Sequence, residues 1–260
     1  MKNVLKFSLM IMLFAAFVSC KDDDDSNIQG NATMSVKLVD APGDYDAVYV
    51  DVQDVVIKYN GNNDEVSIGE INAGVYNLLE LTGGVSVLLV NDEIPAGSIS
   101  QIRLVLGTEN SIVVDGESYP LDTPSSQQSG LKVQVNETLE DGGHYDVILD
   151  FNVEESIVAQ GNGGYSLHPV IRASLAVDSG SITGLVLPLG VQTLVTASSG
   201  NSIISTYTNA QGNYVLQGVP EGTYTLTLEA DANLGLPPIT IPDVEVIAGV
   251  ATELEVVTFQ

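Results

Sequence analysis

Residues 47–59 read AVYVDVQDVVIKY and carry the clearest strand signal of the chain. Their apolar side chains recur at every second position, but the parity changes halfway, which gives two sets: Val48, Val50 and Val52, then Val55, Ile57 and Tyr59. Successive side chains of a strand point to opposite faces, so one extra residue is needed to bury both sets on one side. The pattern therefore predicts a strand with a β-bulge or break near Gln53 and Asp54.

The rest of the chain repeats this kind of pattern. From about residue 34 onward, short apolar runs rich in Val, Ile, Leu, Thr and Tyr alternate with turn residues, and no long stretch keeps the helical period of about 3.6 residues. The sequence therefore predicts an all-β fold class with two β-sandwich domains. The run DSGS at 178–181 interrupts the pattern and a fresh series of strands begins at Ile182. The predicted domains are residues 34–178 and 180–260.

Turn chemistry predicts two hairpins and one short helical turn. Asp115-Gly116 lies between two apolar runs and is the strongest short hairpin signal of the chain. Asp141-Gly142-Gly143 lies between the apolar runs 131–135 and 145–151, which predicts a second hairpin. Residues 85–90 are predicted to form a short helical turn.

The composition is that of a folded and strongly acidic protein. Apolar residues make up 44% of the 260 residues, and charged residues make up 16%. Eight Lys and Arg residues against 34 Asp and Glu residues give a formal net charge of -26. Nucleic acid is excluded as a partner, because so few cationic side chains cannot displace the counterions of a phosphate backbone. The charge instead favours weak attraction to cations or basic partners.

The first residues have the features of a lipoprotein signal peptide. Lys2 and Lys6 precede an apolar run that is too short to span a bilayer. This run ends in FVSC at residues 17–20. This end resembles the lipobox recognised by lipoprotein signal peptidase. We predict a signal peptide at residues 1–19 and acylation of Cys20, the one cysteine of the sequence; the alternative is an ordinary cleaved signal peptide. Acyl chains on Cys20 would anchor the protein in a membrane.

An acidic tether is predicted at residues 20–33. After the cysteine it begins with Lys21, Asp22, Asp23, Asp24 and Asp25. Adjacent carboxylates repel one another and cannot pack, so this run is solvated. The run also resembles the export signal of surface lipoproteins in Bacteroidota. The resemblance implies a lipid-anchored protein on the outer face of the outer membrane, and Lys21 disfavours the inner-membrane retention that an Asp in its place signals in other bacteria.

Six short segments relate the predicted N-terminal domain to a known family. They are LVDAP at 38–42, DAVYV at 46–50, LLELT at 78–82, IPAG at 94–97, QIRLV at 101–105 and LHPVIR at 167–172. Their order and spacing resemble domain-of-unknown-function family 4382, a family of bacterial secreted domains. The resemblance implies no activity, because the family has none established.

Two further segments relate the C-terminal domain to another family. They read TNAQGNYVL at 208–216 and GVPEGTYTL at 218–226. They resemble the carboxypeptidase regulatory-like domain, a transthyretin-type β-sandwich. In other secreted proteins such modules are spacers, stabilising appendages or binding modules, and their fold is grouped with carbohydrate-binding-like folds.

The same two segments have a direct physical interpretation. Gly212 and Gly222 stand where tight turns need a positive φ. Tyr214 and Tyr224 follow them and are predicted to begin strands with inward-facing rings. Asn209 stands where Asp is more usual in the family. We expect this difference to affect only a local contact within the turn.

No catalytic residue is predicted, and the chain is predicted not to be an enzyme. The sequence contains no Gly-x-Ser-x-Gly elbow, Walker loop, His-Glu-x-x-His helix or Cys-x-x-Cys pair. His144 and His168 are isolated and are expected to be solvated or locally hydrogen-bonded. The run GNGG at 161–164 lacks the helix and the lysine of a phosphate loop, so we predict a hairpin turn. Asp150 and Glu154 could form a glycosidase pair, but so could many other carboxylates of an acidic chain.

The best candidate metal site consists of Asp40, Asp44 and Asp46 around Pro42-Gly43. Closely spaced oxygens on a turn suit Ca²⁺, which is the one cofactor that the sequence suggests. The spacing matches no EF-hand loop. A turn in which these carboxylates accept hydrogen bonds from backbone amides is therefore the favoured interpretation.

Three functions remain as hypotheses. The first is a non-catalytic surface lipoprotein that binds a glycan, a protein or another envelope component, with the C-terminal sandwich as support. The second is a fimbria-associated subunit; its maturation would require cleavage after an arginine in the N-terminal domain, whereas the first arginine, Arg103, lies deep in the strand pattern. The third is an unrecognised hydrolase, which a deep cleft with facing carboxylates, or a His beside a Ser, would favour.

Overall fold

The computed structural model describes residues 30–41, 43–61, 65–124, 131–200 and 202–260. These segments consist almost entirely of strands, which confirms the predicted all-β fold class. Within them, no helix is long and apolar enough to cross a membrane. The predicted signal peptide, the acylation site at Cys20 and the acidic export signal lie outside the described residues.

The strands are, in chain order, β1 (Asn31–Ala41), β2 (Ala47–Tyr59), β3 (Glu65–Ser67), β4 (Gly74–Asn77), β5 (Val87–Pro95), β6 (Gly97–Leu106), β7 (Ser111–Val114), β8 (Glu117–Asp122), β9 (Leu131–Leu139), β10 (His144–Asn152), β11 (Ile157–Ala159), β12 (Tyr165–Leu167), β13 (Val170–Leu175), β14 (Ser179–Leu187), β15 (Thr193–Ser199), β16 (Ser202–Tyr207), β17 (Asn213–Pro220), β18 (Gly222–Ala230), β19 (Ile239–Val246), β20 (Ala251–Glu253) and β21 (Val257–Thr258). Short helices interrupt them: an α-helical turn at Val153–Ser156 and 3₁₀ turns at Leu78–Glu80, Ala176–Asp178 and Ala232–Leu234.

The strands form four sheets. Sheet A has the spatial order β13-β10-β1-β5, and sheet B has the order β11-β12-β8-β7-β2-β6-β9, with β3 and β4 also paired to β2. Sheet C has the order β17-β14-β20, with β21 also paired to β14. Sheet D has the order β16-β15-β18-β19.

Sheets A and B enclose one buried apolar cluster, and together they form what we call the first sandwich. β1 shows how the sequence builds it, because Met34, Val36 and Leu38 alternate along the strand and all are fully buried. β1 lies inside sheet A, parallel to β10 on one side and antiparallel to β5 on the other. Its backbone is therefore hydrogen-bonded along both edges.

The predicted irregularity in β2 is confirmed. The register of β2 against β6 shifts between Val52 and Asp54, which is where the parity of the apolar side chains changes. Both sets of apolar residues are buried in the first sandwich as a result. The extra residue lets one long strand bury side chains of both parities.

The first predicted hairpin is confirmed. β7 and β8 are antiparallel neighbours, and the turn between them places Asp115 at a φ of 52° and Gly116 at 77°. Two successive positive φ angles are typical of a type I′ turn, whose twist matches that of the flanking strands. The predicted turn at 161–164 is also confirmed, since it joins the antiparallel strands β11 and β12.

The second predicted hairpin is wrong. β9 pairs with β6 in sheet B, whereas β10 pairs with β1 and β13 in sheet A. The turn at 141–143 carries the chain from one sheet to the other. β1 holds this turn in place, because the Gly142 N–H donates to the Asn31 carbonyl at 2.7 Å and the Thr33 N–H donates to the Gly143 carbonyl at 2.9 Å.

The predicted helical turn at 85–90 is also wrong. Most of this segment belongs to β5, where Val36 of β1 pairs with Val90. Leu89 and Val90 are buried in the first sandwich. Pairing with β1 and burial of these side chains outweigh any local helical preference.

Sheets C and D enclose a second apolar cluster, and we call this unit the second sandwich. The predicted turn glycines have positive φ angles, 76° at Gly212 and 149° at Gly222, and the rings of Tyr214 and Tyr224 are buried. The Asn209 side chain accepts hydrogen bonds from the N–H groups of Gln211 and Asn213, each at 3.0 Å, so Asn makes a turn contact of the kind an Asp would make.

Buried residues of the first cluster extend to Leu175, and those of the second begin at Ile182. The domain limits inferred from the sequence, 34–178 and 180–260, remain predictions.

Candidate functional site

The two sandwiches meet along a contact region that we call the joint. Strands β1, β10 and β13 of the first sandwich approach β16 and β17 of the second. The loop before β5 also takes part, because the Gly83 N–H donates to the Thr206 hydroxyl at 3.0 Å. Gln217 donates from its side-chain amide to the Gly84 carbonyl at 3.2 Å. Polar contacts therefore bind the two sandwiches from several strands at once.

Arg172 of β13 is the central side chain of the joint. Its guanidinium forms an ion pair with Asp150 of β10, with 2.8 Å between Nη2 and Oδ2. The other terminal nitrogen donates to the Gly218 carbonyl of β17, and Nη2 also makes a longer contact of 3.5 Å to the Gln217 carbonyl. The planar guanidinium suits such a bridge, because it presents several N–H donors in fixed directions. One side chain thus links both sandwiches.

Asp40 of β1 is only 3% exposed, and it pairs with the buried Phe151 of β10, on the face of sheet A opposite to Asp150 and Arg172. Among the described residues, neither of its carboxyl oxygens has a hydrogen-bond partner. The Val153 N–H lies near enough to favour the ionised form, but its geometry falls short of a hydrogen bond. Burial raises the pKa of Asp40 well above its ordinary value, and the negative charge of Asp150 adds to this rise.

Asp150 is buried to a similar extent. Burial raises its pKa, and the charge and hydrogen bond of Arg172 act in the opposite direction. Asp40 and Asp150 line a cavity of about 10 Å³ together with residues of the second sandwich, among them Thr206 and Gln217. A cavity of roughly this volume holds a single water molecule. The centre of the joint is therefore nearly closed.

The three predicted calcium ligands have different surroundings. Asp40 is buried on the inner face of sheet A, whereas Asp46 accepts a hydrogen bond at 2.8 Å from the Gly116 N–H in the β7–β8 turn. Asp44 is exposed and lines a groove of about 370 Å³ with Tyr207 of the second sandwich. Within the described segments, no three His, Cys, Asp or Glu side chains come together as a metal site. Calcium binding by this trio remains a prediction.

The pKa of Tyr207, which lines this groove, is raised. Burial is the largest cause, and the carboxylates of Asp44 and Glu154 add to it. Glu154 is exposed on the α-helical turn, whereas Asp150 is buried against Arg172. The two carboxylates that the sequence offered as a glycosidase pair are thus in different environments.

The two histidines differ in their contacts. His144 is exposed and lies 3.7 Å from an oxygen of Asp146. His168 lies 3.1 Å from the hydroxyl of Ser166, so a His does stand beside a Ser. Ser166 is only 6% exposed, and its hydroxyl also lies 3.4 Å from the Val158 carbonyl. A substrate carbonyl could not reach this hydroxyl, which a nucleophile requires.

Sequence comparison identifies the family of the first sandwich. Residues 31–169 match the family described as "Domain of unknown function (DUF4382)". This match covers more than half of the chain. The chain belongs to the DUF4382 family. Among curated proteins, none matches this sequence.

Several solved structures are weakly similar to the DUF4382 protein. The Bacillus anthracis TIE protein is 13% identical, with 89% of this chain and 34% of that chain covered and a TM-score of 0.23, so the present chain spans about a third of its length. The minor pilin GBS52 of Streptococcus agalactiae is 10% identical, with 87% and 95% covered and a TM-score of 0.25. A fimbrial protein from Bacteroides ovatus is 8% identical, with 89% and 51% covered and a TM-score of 0.23. With TM-scores this low, these likenesses decide neither fold nor function.

The charged joint is not evident from the sequence pattern alone. Asp150 belongs to the DUF4382 match, and Arg172 lies three residues beyond its end. Spacing along the chain shows only local proximity, so it does not pair these two residues. The Asp in the apolar run VILDF at 147–151 is the available signal, since a buried carboxyl needs a partner from elsewhere in the fold.

Proposed function

We infer that this DUF4382 protein is a non-catalytic surface lipoprotein. Acylated Cys20 would anchor it in the outer membrane, with the acidic tether and both sandwiches facing the cell exterior. The first sandwich would bind a glycan, a protein or another envelope component. The second, which resembles the carboxypeptidase regulatory-like domain, would serve as its support.

The observation that carries this proposal is the joint between the two sandwiches. Arg172 binds carbonyl groups of the second sandwich while it neutralises Asp150 of the first. Further hydrogen bonds join the loop at Gly83 and Gly84 to the second sandwich. A joint held at several points keeps two modules in one relative orientation, which suits a support better than a moving lid.

The same geometry argues against a hydrolase. Asp40 and Asp150 are two of the buried carboxylates among the described residues, and the cavity that they line is only about 10 Å³. Pockets for small ligands are on the order of 300–1,000 Å³. A sugar ring therefore cannot reach these two groups.

The surroundings of Arg103 disfavour the fimbrial route by cleavage after an arginine. Arg103 lies within β6, paired to β2 on one side and to β9 on the other. Its guanidinium also forms an ion pair with Glu65 at 2.8 Å. Cleavage there would cut an inner strand of sheet B.

The test has two parts, both on the full-length protein in its native cells. Mass spectrometry should find acyl chains on Cys20, and Cys20→Ala should release the protein from the outer-membrane fraction. Protease added to intact cells should degrade the wild-type protein, whereas a periplasmic protein in the same cells should survive. An unmodified thiol at Cys20 would refute the anchor.

The binding role is tested separately. Cells that display the wild-type protein, and cells that express Cys20→Ala, are compared on a panel of glycans and purified envelope proteins. We expect retention by the displaying cells alone. Equal behaviour of both cell types across the panel would contradict the binding role while leaving the anchor intact.

A further inference from the structure

Asp40 stands at a position of β1 that the strand pattern assigns to an apolar side chain. It continues the inward-facing row of Val36 and Leu38, and it pairs in parallel register with Phe151 of β10, which is fully buried. Residues that pair across neighbouring strands point to the same face of a sheet. The carboxyl of Asp40 is therefore directed into the first sandwich, among apolar side chains.

The surroundings do not compensate a negative charge on Asp40. Among the described residues, neither of its oxygens accepts a hydrogen bond, and Asp150, which is also negative, acts on it through the sheet. Arg172 pairs with Asp150 on the opposite face. The other charged side chains of the elements around Asp40 are turned away, exposed or distant: Lys37 on the outer face of β1, Glu80, Glu154 and Glu155 on the two helical turns that contact β1, Asp44 in the next loop, and His144, Asp146, Asp92 and Glu93 at the far ends of β10 and β5. A lone buried carboxylate costs far more than its neutral acid, so the folded state favours the proton.

The end of β1 that carries Asp40 is also connected to the joint. Pairing of β1 with β5 stops at Leu38, and beyond it the Asp40 N–H donates to the Leu81 carbonyl at 3.1 Å. The loop that begins with Leu81 is the one whose Gly83 and Gly84 make hydrogen bonds to the second sandwich. A movement of Asp40 is thereby transmitted to two polar contacts of the joint.

We propose that Asp40 is a proton switch for the joint: its carboxyl holds a proton while the end of β1 is docked in the sheet, and loss of this proton releases that end together with the loop at 81–84. An ionised carboxylate gains hydration when the last residues of β1 leave the sheet. The middle of the strand stays in place, because β10 and β5 hold it along both edges.

The sign of the pH dependence follows from the two states of Asp40. Once released into water, the carboxyl has the ordinary pKa of an aspartate, whereas burial in the docked state raises its pKa. The docked state therefore binds the proton more tightly. Its advantage is complete at a pH below the ordinary pKa and is lost as the pH rises through the raised pKa.

Hydrogen exchange of the full chain, measured by mass spectrometry between about pH 5 and about pH 9, follows the release directly. The rates are corrected for the intrinsic exchange rate at each pH. We expect the opening constants of segments 38–41 and 81–84 to rise together, by up to about tenfold per pH unit. Segment 34–37, in the middle of β1, should remain protected throughout.

Matched variants assign the proton. Asp40→Asn has the shape of the protonated acid but cannot ionise, so exchange at both segments should no longer depend on pH. Asp40→Val serves the same comparison if Asp40→Asn fails to fold. Asp44→Asn removes an exposed carboxylate of the next loop and should keep the wild-type profile. At about pH 5.5, where exposed carboxyls are mostly ionised, the infrared difference between wild type and Asp40→Asn should contain the carbonyl band of one protonated carboxyl.

Three results would overturn the proposal. The first is corrected exchange at 38–41 that does not change with pH in the wild type. The second is a pH dependence that persists in Asp40→Asn and Asp40→Val but disappears in Asp150→Asn, which would assign the proton to Asp150. The third is release of 38–41 while 81–84 stays protected, which would separate Asp40 from the joint.

Discussion

At Gly218 the backbone has a φ of 63°, and its carbonyl accepts a hydrogen bond from Arg172. A Cβ atom at this position would lie 2.2 Å from the hydroxyl oxygen of Ser174 in β13. The residue therefore needs both the left-handed conformation and the absence of a side chain. Both requirements arise because β17 passes close to the first sandwich at this point.

Gly218→Ala is accordingly expected to destabilise the protein by about 2–4 kcal/mol, from the left-handed conformation and the steric clash together. Gly235→Ala is the matched control, because Gly235 has a φ of 64° and open space around its Cβ position. It should lose only about 1–2 kcal/mol. Equilibrium denaturation in urea measures both values.

A second substitution separates the two causes. Ser174→Ala removes the hydroxyl, and the Ser174 Cβ would then lie 3.4 Å from the new methyl group, which is an ordinary contact. Ser174→Ala should therefore recover part of the stability lost in Gly218→Ala. If the double variant is no more stable than Gly218→Ala, the clash is not the cause.

Single residues also show the limit of sequence reasoning. The inward rings of Tyr214 and Tyr224 were predictable, because a turn glycine precedes each of them and the strand pattern follows. The ion pair of Asp150 with Arg172 was not, since it depends on the antiparallel pairing of β10 with β13. Such pairing leaves no mark in the spacing of residues along the chain.

At the level of strands, local patterns were reliable and long-range pairings were not. The register shift in β2 follows from the parity of its own apolar residues, so the sequence contains the information. The path from β9 to β10 depends instead on β1, which holds the 141–143 turn through backbone hydrogen bonds. A turn signal shows that the chain reverses, but it does not show which sheet receives the next strand.

The β7–β8 turn provides a prediction at this scale. Gly116→Val should destabilise the protein by about 1–2 kcal/mol, because a β-branched residue is strained at a φ of 77°. Space is not the reason, since nothing lies within 4 Å of the Cβ position. The free energy of unfolding measures the effect.

Gly161→Val is the control for this turn substitution. Gly161 also has nothing within 4 Å of its Cβ position, but it does not have a positive φ. We expect a change of less than about 0.5 kcal/mol. Equal losses at the two positions would mean that the type I′ geometry is not what Gly116 supplies.

At the level of the whole molecule, Arg172 couples the two sandwiches. The wild-type chain is expected to unfold in one calorimetric transition, because the joint links the two clusters. Arg172→Met should cost about 3 kcal/mol, since it leaves Asp150 buried without its ion-pair partner. The thermogram should then resolve into two transitions, one for each sandwich.

Arg103→Met is the control for this coupling. Its ion pair with Glu65 has the same 2.8 Å separation, but it lies wholly within sheet B and Glu65 is 38% exposed. It should lower the stability by about 1 kcal/mol and leave a single transition. Two transitions already in the wild type would show that the joint does not couple the sandwiches.

The position of β1 has a mechanical consequence. This strand lies between β10 and β5, and it is the first strand that the structure describes. When the protein is held at its N-terminal side and its far end is pulled, the load acts along β1. The hydrogen bonds on both edges then resist sliding as a group instead of opening one by one, so the strand nearest the point of attachment is also the one best placed to withstand shear.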